Sequence, residues 1–317
     1  VYVWETLYSP LGGLTADYYF VKHAMGFARK HAPHTPILLG GGMVESDKAF
    51  IIDDLRPDFA INGEAEAPVV DLLDALRTGS DLSEIKALIW WKNGEAVYNP
   101  LTAKAKTPIT APYPYYEPLG IEEFFRACTH RAAWHLSSFQ LWPRMLPVSA
   151  GRSCPYRCTF CWHSAGQVYR LREIPEVIEE IQFFYEKHRF NTLIIYDELF
   201  SVREARVHEF CDAIAALKLP IQWTVALRVN DATEDMLRHM KASGCQLIGF
   251  GLESADDRVL TSMKKKITRA QTENAFDLAR KVNMGLQGCF IFGDPVETLE
   301  TIEVTTNFIK RHHDLCL

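Results

Sequence analysis

Gly151-Arg152-Ser153-Cys154-Pro155-Tyr156-Arg157-Cys158-Thr159-Phe160-Cys161-Trp162-His163 is the stretch on which the reading of this chain turns. Three of the eight cysteines fall within eight positions, and Cys128, Cys211, Cys245, Cys289 and Cys316 are scattered. That usage points to a metal site in a reducing compartment and not to a disulfide framework. A loop opened by Ser-Cys-Pro is also a poor place for three inert core thiols. Two donor sets suit the residues. Thiolates hold iron–sulfur clusters, and three of them on a cubane leave one iron open to a chelating amino and carboxylate pair. Alternatively, His163 completes a Cys3His zinc site, although such sites usually sit in a small knuckle. The scattered cysteines read as small buried hydrophobes.

Outward from that loop, the second half is a run of strand–helix units. Apolar strands are expected at Leu146–Ala150, Thr192–Tyr196, Ile221–Leu227, Gln246–Gly251 and Leu286–Phe292. Between them, Ile178, Ile181, Phe184 and Tyr185 recur at helical spacing, as do Phe210, Ile214 and Leu217. Ser201 with Glu204 and Thr268 with Gln271 have capping-box spacing, and Pro175 suits a first helical turn. Gly244 and Gly285 follow helix ends, where a left-handed residue is wanted. Five parallel units in succession predict an open or partial α/β barrel, with the cysteine loop after its first strand.

The first half alternates strands and helices as well. Strands are expected at Val1–Trp4, Pro36–Leu39 and Asp58–Ile61, and helices over Asp17–Lys30, Glu45–Leu55 and Pro68–Arg77. This order implies a parallel sheet whose ligands bind beyond the strands' carboxyl ends. Gly40-Gly41-Gly42 and Gly63-Glu64 lie at those ends. Asn93-Gly94 marks a hairpin, and prolines from Pro100 to Pro118 mark an extended connection. The expected organisation is a first domain over 1–98, a linker over 99–144 and a barrel over 145–317. The chain opens inside a strand and closes on a polar helix, so it reads as a segment cut at both ends.

Bulk properties narrow the function classes. The 317 residues are 48% hydrophobic and 23% charged, with a formal net charge of −6. Apart from Lys264-Lys265-Lys266 there is no basic stripe, which argues against nucleic acid as the main partner. No apolar run approaches the roughly 18–20 residues of a membrane-spanning helix.

Cys154-x3-Cys158-x2-Cys161, with Phe160 before the last cysteine, is similar to the signature of the radical SAM superfamily. The resemblance implies an α/β fold, a partial Rossmann-like parallel sheet followed by a partial (β/α) barrel of the radical SAM type. It implies a 4Fe-4S cluster on Cys154, Cys158 and Cys161 and S-adenosylmethionine on its open iron. Later strand ends match in order. Tyr196-Asp197-Glu198 resembles the contact for the sulfonium's amino group, and acidic acceptors suit an ammonium. Arg228 resembles a family arginine near the active site. Glu253-Ser254 resembles the pair against ribose and methionyl group, and Gly293-Asp294-Pro295 resembles a stretch flanking adenine. Asp294 and Val296 depart from the family's apolar residue and glycine there.

The first half resembles the cobalamin-binding domain that precedes this barrel in one subgroup. The matching residues are Gly40, Gly41 and Gly42, and Ile61-Asn62-Gly63-Glu64 with the helix after it. No Asp-x-His-x-x-Gly motif for a lower cobalt ligand occurs in the chain. The subgroup implies cobalamin-dependent methyl transfer to an unactivated carbon of a small molecule. It also implies a one-electron reductant such as flavodoxin or ferredoxin, and a cytoplasmic location. The alternatives are an oxidative cyclase or rearrangement enzyme of the same subgroup, and a non-catalytic zinc module.

Overall fold

The computed structural model describes residues 2–5, 18–101, 112–127, 140–161 and 168–315. The chain divides into two compact units. In the first, β1 (Tyr2–Glu5), α1 (Tyr18–His31), β2 (Leu38–Gly41), α2 (Gly42–Ser46), α3 (Lys48–Leu55), β3 (Phe59–Ile61), α4 (Glu66–Thr78), β4 (Leu88–Lys92) and β5 (Glu95–Tyr98) follow one another. They form one five-stranded sheet in the order β1-β2-β3-β4-β5. The first three strands are parallel, and β4 and β5 add an antiparallel hairpin. Asn93 (φ 54°) and Gly94 (φ 83°) are both left-handed, the geometry that matches a two-residue turn to strand twist.

Alternation along the strands sorts side chains onto two faces. Leu39, Ala60 and Ile89 pack with Val21 and Met25 of α1 and with Ile51 and Ile52 of α3. Ile61 and Leu88 pack with Leu72 and Ala75 of α4 on the other side. The helix expected over Glu45–Leu55 is in fact two. Asp47 breaks it at φ −147°, ψ 68°, and its carboxylate then caps α3 by accepting from the Phe50 amide.

The second unit runs α5 (Ile121–Ala127), β6 (Met145–Val148), β7 (Gly151–Arg152), β8 (Arg170–Leu171), α6 (Ile174–His188), β9 (Thr192–Ile195), α7 (Glu204–Ala216), β10 (Gln222–Leu227), α8 (Glu234–Ala242), β11 (Cys245–Glu253), α9 (Asp257–Ser262), α10 (Arg269–Lys281), β12 (Gly285–Phe290) and α11 (Leu299–Arg311). Strands β6, β9, β10, β11 and β12 lie side by side in chain order, all parallel. This is the expected partial barrel, and every carboxyl end faces one rim. Two local expectations change. Ser201 does not cap α7; its hydroxyl donates to Asp231 at 2.6 Å. The left-handed residue before β12 is Asn283, while Gly285 is needed for space, because a Cβ there would lie 2.8 Å from the Gln246 carbonyl.

Residues 112–127, inside the stretch expected as linker, pack onto this unit. Ile121 and Phe125 join its core, and Tyr116 sits 5.1 Å from the Phe184 ring. Arg144 grips the Glu122 carboxylate with both terminal nitrogens. Aromatic burial here outweighs the extended bias of the prolines.

Trp223 of β10 is fully buried, edge-on to Phe210 at 5.3 Å, and its indole N–H donates to the Ser243 carbonyl. Trp223→Ala is expected to cost about 3–5 kcal/mol. Urea unfolding monitored by circular dichroism would show it as a lower midpoint at unchanged slope.

Candidate functional site

The barrel rim gathers the loops that follow β6, β9, β10, β11 and β12. The first carries the cysteines. It leaves β7 through Ser153, which is buried and left-handed at φ 68°. Cys154 is half-buried, Cys158 buried and Cys161 exposed. The Cys161 amide donates to the Cys158 carbonyl at 3.2 Å, and the Thr159 amide donates to the Met263 carbonyl at 3.0 Å. A hydrogen bond from the Cys161 thiol draws Cys158 down to about 6 against the opposing effect of burial, with Lys265 and Arg228 adding positive charge. The same bond, with burial, pushes Cys161 up, and burial raises Cys154. Positive charge from Lys265 and Arg228 beside the loop favours thiolates there, the form that ligates metal.

Asp197, two residues beyond β9, is buried. Its Oδ1 accepts from the Ala150 amide at 2.7 Å, the Gly151 amide at 3.0 Å and the Ser149 hydroxyl at 3.3 Å. Arg206 donates to the Ala150 carbonyl at 3.0 Å. Burial raises the Asp197 carboxyl to about 7, opposed by the two amides and by Arg206. The amide contacts make Asp197 the holder of the β6–β7 bend. Glu198, its neighbour, is exposed and close enough to Cys154 to act on its charge.

Arg228 is buried with its guanidinium 3.7 Å from the centroid of the Tyr156 ring, inside the cysteine loop. It donates to the Asn230 side chain at 3.2 Å and to the Lys265 carbonyl. Glu253 ends β11 in a left-handed conformation (φ 64°), and its carboxylate is paired at 2.6 Å with Lys265, both side chains being buried. The Lys265 ammonium stands 5.6 Å from the Phe160 ring centroid. Phe160 is 36% exposed at the rim. Lys265 is the residue the sequence reading missed. It lay within a basic triplet weighed only as a nucleic-acid stripe, and no local pattern says which of three adjacent lysines turns inward.

Ser254 is directed elsewhere: its hydroxyl lies 3.1 Å from that of Thr305 on α11 and accepts from the Asp256 amide. Gly293 is left-handed at φ 104° with open space where a Cβ would be, and its amide donates to Glu297. Pro295 is exposed in the turn that follows. The structure thus brings Cys154, Cys158, Cys161, Phe160, Arg228, Glu253 and Lys265 together, turns Ser254 to a helix contact, and engages Asp197 with backbone through Oδ1 while its Oδ2 is buried with no partner among the described residues.

In the first unit, Gly40 and Gly41 end β2, Gly42 starts α2, and Gly63 and Glu64 follow β3. The parallel register of β2 and β3 sets the two glycine turns side by side. Gly41 (φ 104°) and Gly63 (φ 114°) take backbone shapes that side-chain-bearing residues rarely adopt. Gly40, Gly41 and Gly42 are buried at the strand end, and their lack of side chains permits close backbone approach there.

Among the described residues no three His, Cys, Asp or Glu side chains converge as one bound ion requires. His163 lies outside the described residues. A cubane takes its thiolates on different irons, so a graded row of thiols with two cations beside it fits that group.

A family model described as the radical SAM superfamily matches residues 148–309, just over half of the chain. The chain is 29% identical to an uncharacterized methyltransferase of Pyrococcus horikoshii, over 80% of this chain and 53% of that one. It is 24% identical to an anaerobic magnesium-protoporphyrin IX monomethyl ester cyclase of Cereibacter sphaeroides, over 92% of this chain and 47% of that one. The chain thus spans about half the length of the curated relatives it matches. Its fold is similar to that of the radical S-adenosylmethionine methyltransferase TsrM of Kitasatospora setae, solved with cobalamin and a [4Fe-4S] cluster bound. There the TM-score is 0.74 at 19% identity, covering 93% of this chain and 56% of that one.

Asp197 generates a pH prediction. An acid raised to about 7 when folded, from 3.8, contributes stability that is full below about pH 4 and is lost as pH rises through about 7. Asp197→Asn lacks that titration. Urea midpoints at about pH 5 and pH 8 should show the wild type falling relative to Asp197→Asn; a constant difference would mean the carboxyl ionises in its ordinary range.

Proposed function

The chain belongs to the radical SAM superfamily, and from that premise we propose that it is a cobalamin-dependent enzyme that methylates an unactivated carbon of a small molecule. Cys154, Cys158 and Cys161 would hold the 4Fe-4S cluster, and S-adenosylmethionine would take the open iron. The observation that carries this reading is the three-cysteine loop at the carboxyl end of the first barrel strand, with the Arg228 and Lys265 side chains buried beside it. Methyl transfer is supported by the methyltransferase names among its relatives.

Such a cluster, when reduced, supplies the electron that splits S-adenosylmethionine into methionine and a 5′-deoxyadenosyl radical, and cobalamin supplies the methyl group. The chain's own residues bind and orient. Asp197 fixes the bend from which the cysteine loop springs. Arg228, clamped on Tyr156, offers a guanidinium to the cofactor's carboxylate. Glu253 and the exposed Glu198 offer acceptors for its hydroxyls and ammonium. Gly293 leaves open space beside its backbone where adenine would lie, with Phe160 and Pro295 at the border. Asp197 and Ser254 serve by holding backbone. Gly40, Gly41, Gly42, Gly63 and Glu64 would seat cobalamin at the rim of the first sheet.

A flavodoxin or ferredoxin would deliver electrons, in the cytoplasm, where unpaired thiols persist. Among the described residues all cysteines are free, and no helix is long and apolar enough to cross a membrane. Oxidative cyclisation is the second reading, favoured by a cyclase relative aligned over 92% of the chain. A product that gains a methyl group separates methylation from cyclisation, which removes hydrogen.

Anaerobically reconstituted protein given dithionite and S-adenosylmethionine should release 5′-deoxyadenosine, and Cys158→Ala should abolish it. The reading is sunk if wild type takes up neither iron nor sulfide. Cobalamin seating is checked separately: the visible spectrum of hydroxocobalamin should shift on binding, and Gly41→Val should weaken that binding.

A further inference from the structure

The turn Met263–Lys266 leaves α9 directly beneath the cysteine loop. Lys264 (φ 52°) and Lys266 (φ 55°) are left-handed, and the residue between them is drawn inward. Three ties converge on this turn. The Met263 carbonyl receives the Thr159 amide, one residue beyond Cys158. The Lys265 carbonyl receives the Arg228 guanidinium. The Lys265 ammonium meets Glu253 at 2.6 Å and lies 5.6 Å from the ring of Phe160, the residue before Cys161. The pair also lies close over Gly251, where a Cβ would stand 2.7 Å from the Glu253 carboxylate and 2.8 Å from the Lys265 nitrogen, so a side chain there would displace it.

A buried carboxylate needs a partner, and its field reaches far in a low-dielectric interior. The Glu253–Lys265 pair lies against the cysteine loop, with the Lys265 ammonium 5.6 Å from the ring of Phe160, which stands between Cys158 and Cys161 in the chain. The pair is therefore a charge-balanced unit set against the loop that would carry the cluster. Net charge around an iron–sulfur cluster is one of the factors that set its reduction potential.

We propose that Lys265 is a positioning residue that neutralises Glu253 beside the cysteine loop, so that the carboxylate can face the site without making cluster reduction harder. This rests on the reading that Cys154, Cys158 and Cys161 hold a 4Fe-4S cluster. The step concerned is the transfer of one electron from the external reductant to that cluster. Without Lys265, Glu253 stands unbalanced and opposes the added electron. Without both charges, the opposition disappears.

The test is an anaerobic redox titration of the reconstituted cluster followed by electron paramagnetic resonance. Lys265→Met is expected to make reduction about tenfold less favourable, a shift of ~59 mV to lower potential for one electron. Lys265→Arg should remain near wild type. Glu253→Gln should shift the other way, and the double variant Lys265→Met/Glu253→Gln should return toward wild type, which a purely structural lysine would not do. An intact cluster in Lys265→Met with an unchanged potential overturns the proposal, as does a double variant as low as the single one. If Lys265→Met assembles no cluster while the double variant does, the charge argument stands. If neither assembles one, Lys265 serves structure alone and the proposal falls. Wild type without a 4Fe-4S spectrum overturns the cluster assignment itself, and this proposal with it.

Discussion

The Asp197 carboxylate, buried two residues beyond β9 and gripping the amides of Ala150 and Gly151, is the constraint on which the barrel rim depends. A carboxylate taken from water must be met by donors. Here two consecutive amides of the neighbouring strand's exit provide them, with Ser149 and Arg206 around the same bend. Because β6 and β9 are adjacent and parallel, this one group ties the exits of two strands together. The cysteine loop starts one residue after Arg152, so its origin is set by this contact before any cofactor is considered.

Charge governs the rest of the rim. Arg228, Glu253 and Lys265 are buried at the rim, and a buried charge is costly unless it is paired and fixed. Arg228 is held by the face of Tyr156 and by the Lys265 carbonyl, and Lys265 is held by Glu253. Both cations come from elements distant in sequence from the cysteines, after β10 and after β11. The site is a convergence of strand ends, as parallel α/β architecture provides.

Backbone shape completes it. Ser153, Glu253 and Gly293 each leave the rim in left-handed conformations. For Ser153 and Glu253 this is sterically unfavourable and is maintained by surrounding contacts. Gly293 takes it freely and leaves room beside its backbone. The first unit has the same device in Gly41 and Gly63.

Periodicity and punctuation made most of the architecture legible. The five barrel strands fall where apolar runs placed them, the Asn93-Gly94 turn forms the hairpin, and the Thr268–Gln271 capping box starts α10. The cysteine spacing marked the candidate ligands, because three thiols on a short loop are a local pattern. What failed had one local cause and two distant ones. Asp47 broke a helix that periodicity drew as continuous, Ser201 chose Asp231 over the helix start, and the aromatics of 112–127 found a core. Asp197, Ser254 and Lys265 show the deeper limit. Whether an acid faces a cofactor or two backbone amides, and which of three adjacent lysines turns inward, depends on partners 12 to 51 residues away. Sequence alone determined the order of elements and the thiol triad, since both arise from neighbouring residues. Only the tertiary structure decided where each buried charge is balanced, since burial and pairing exist only once distant strands are side by side.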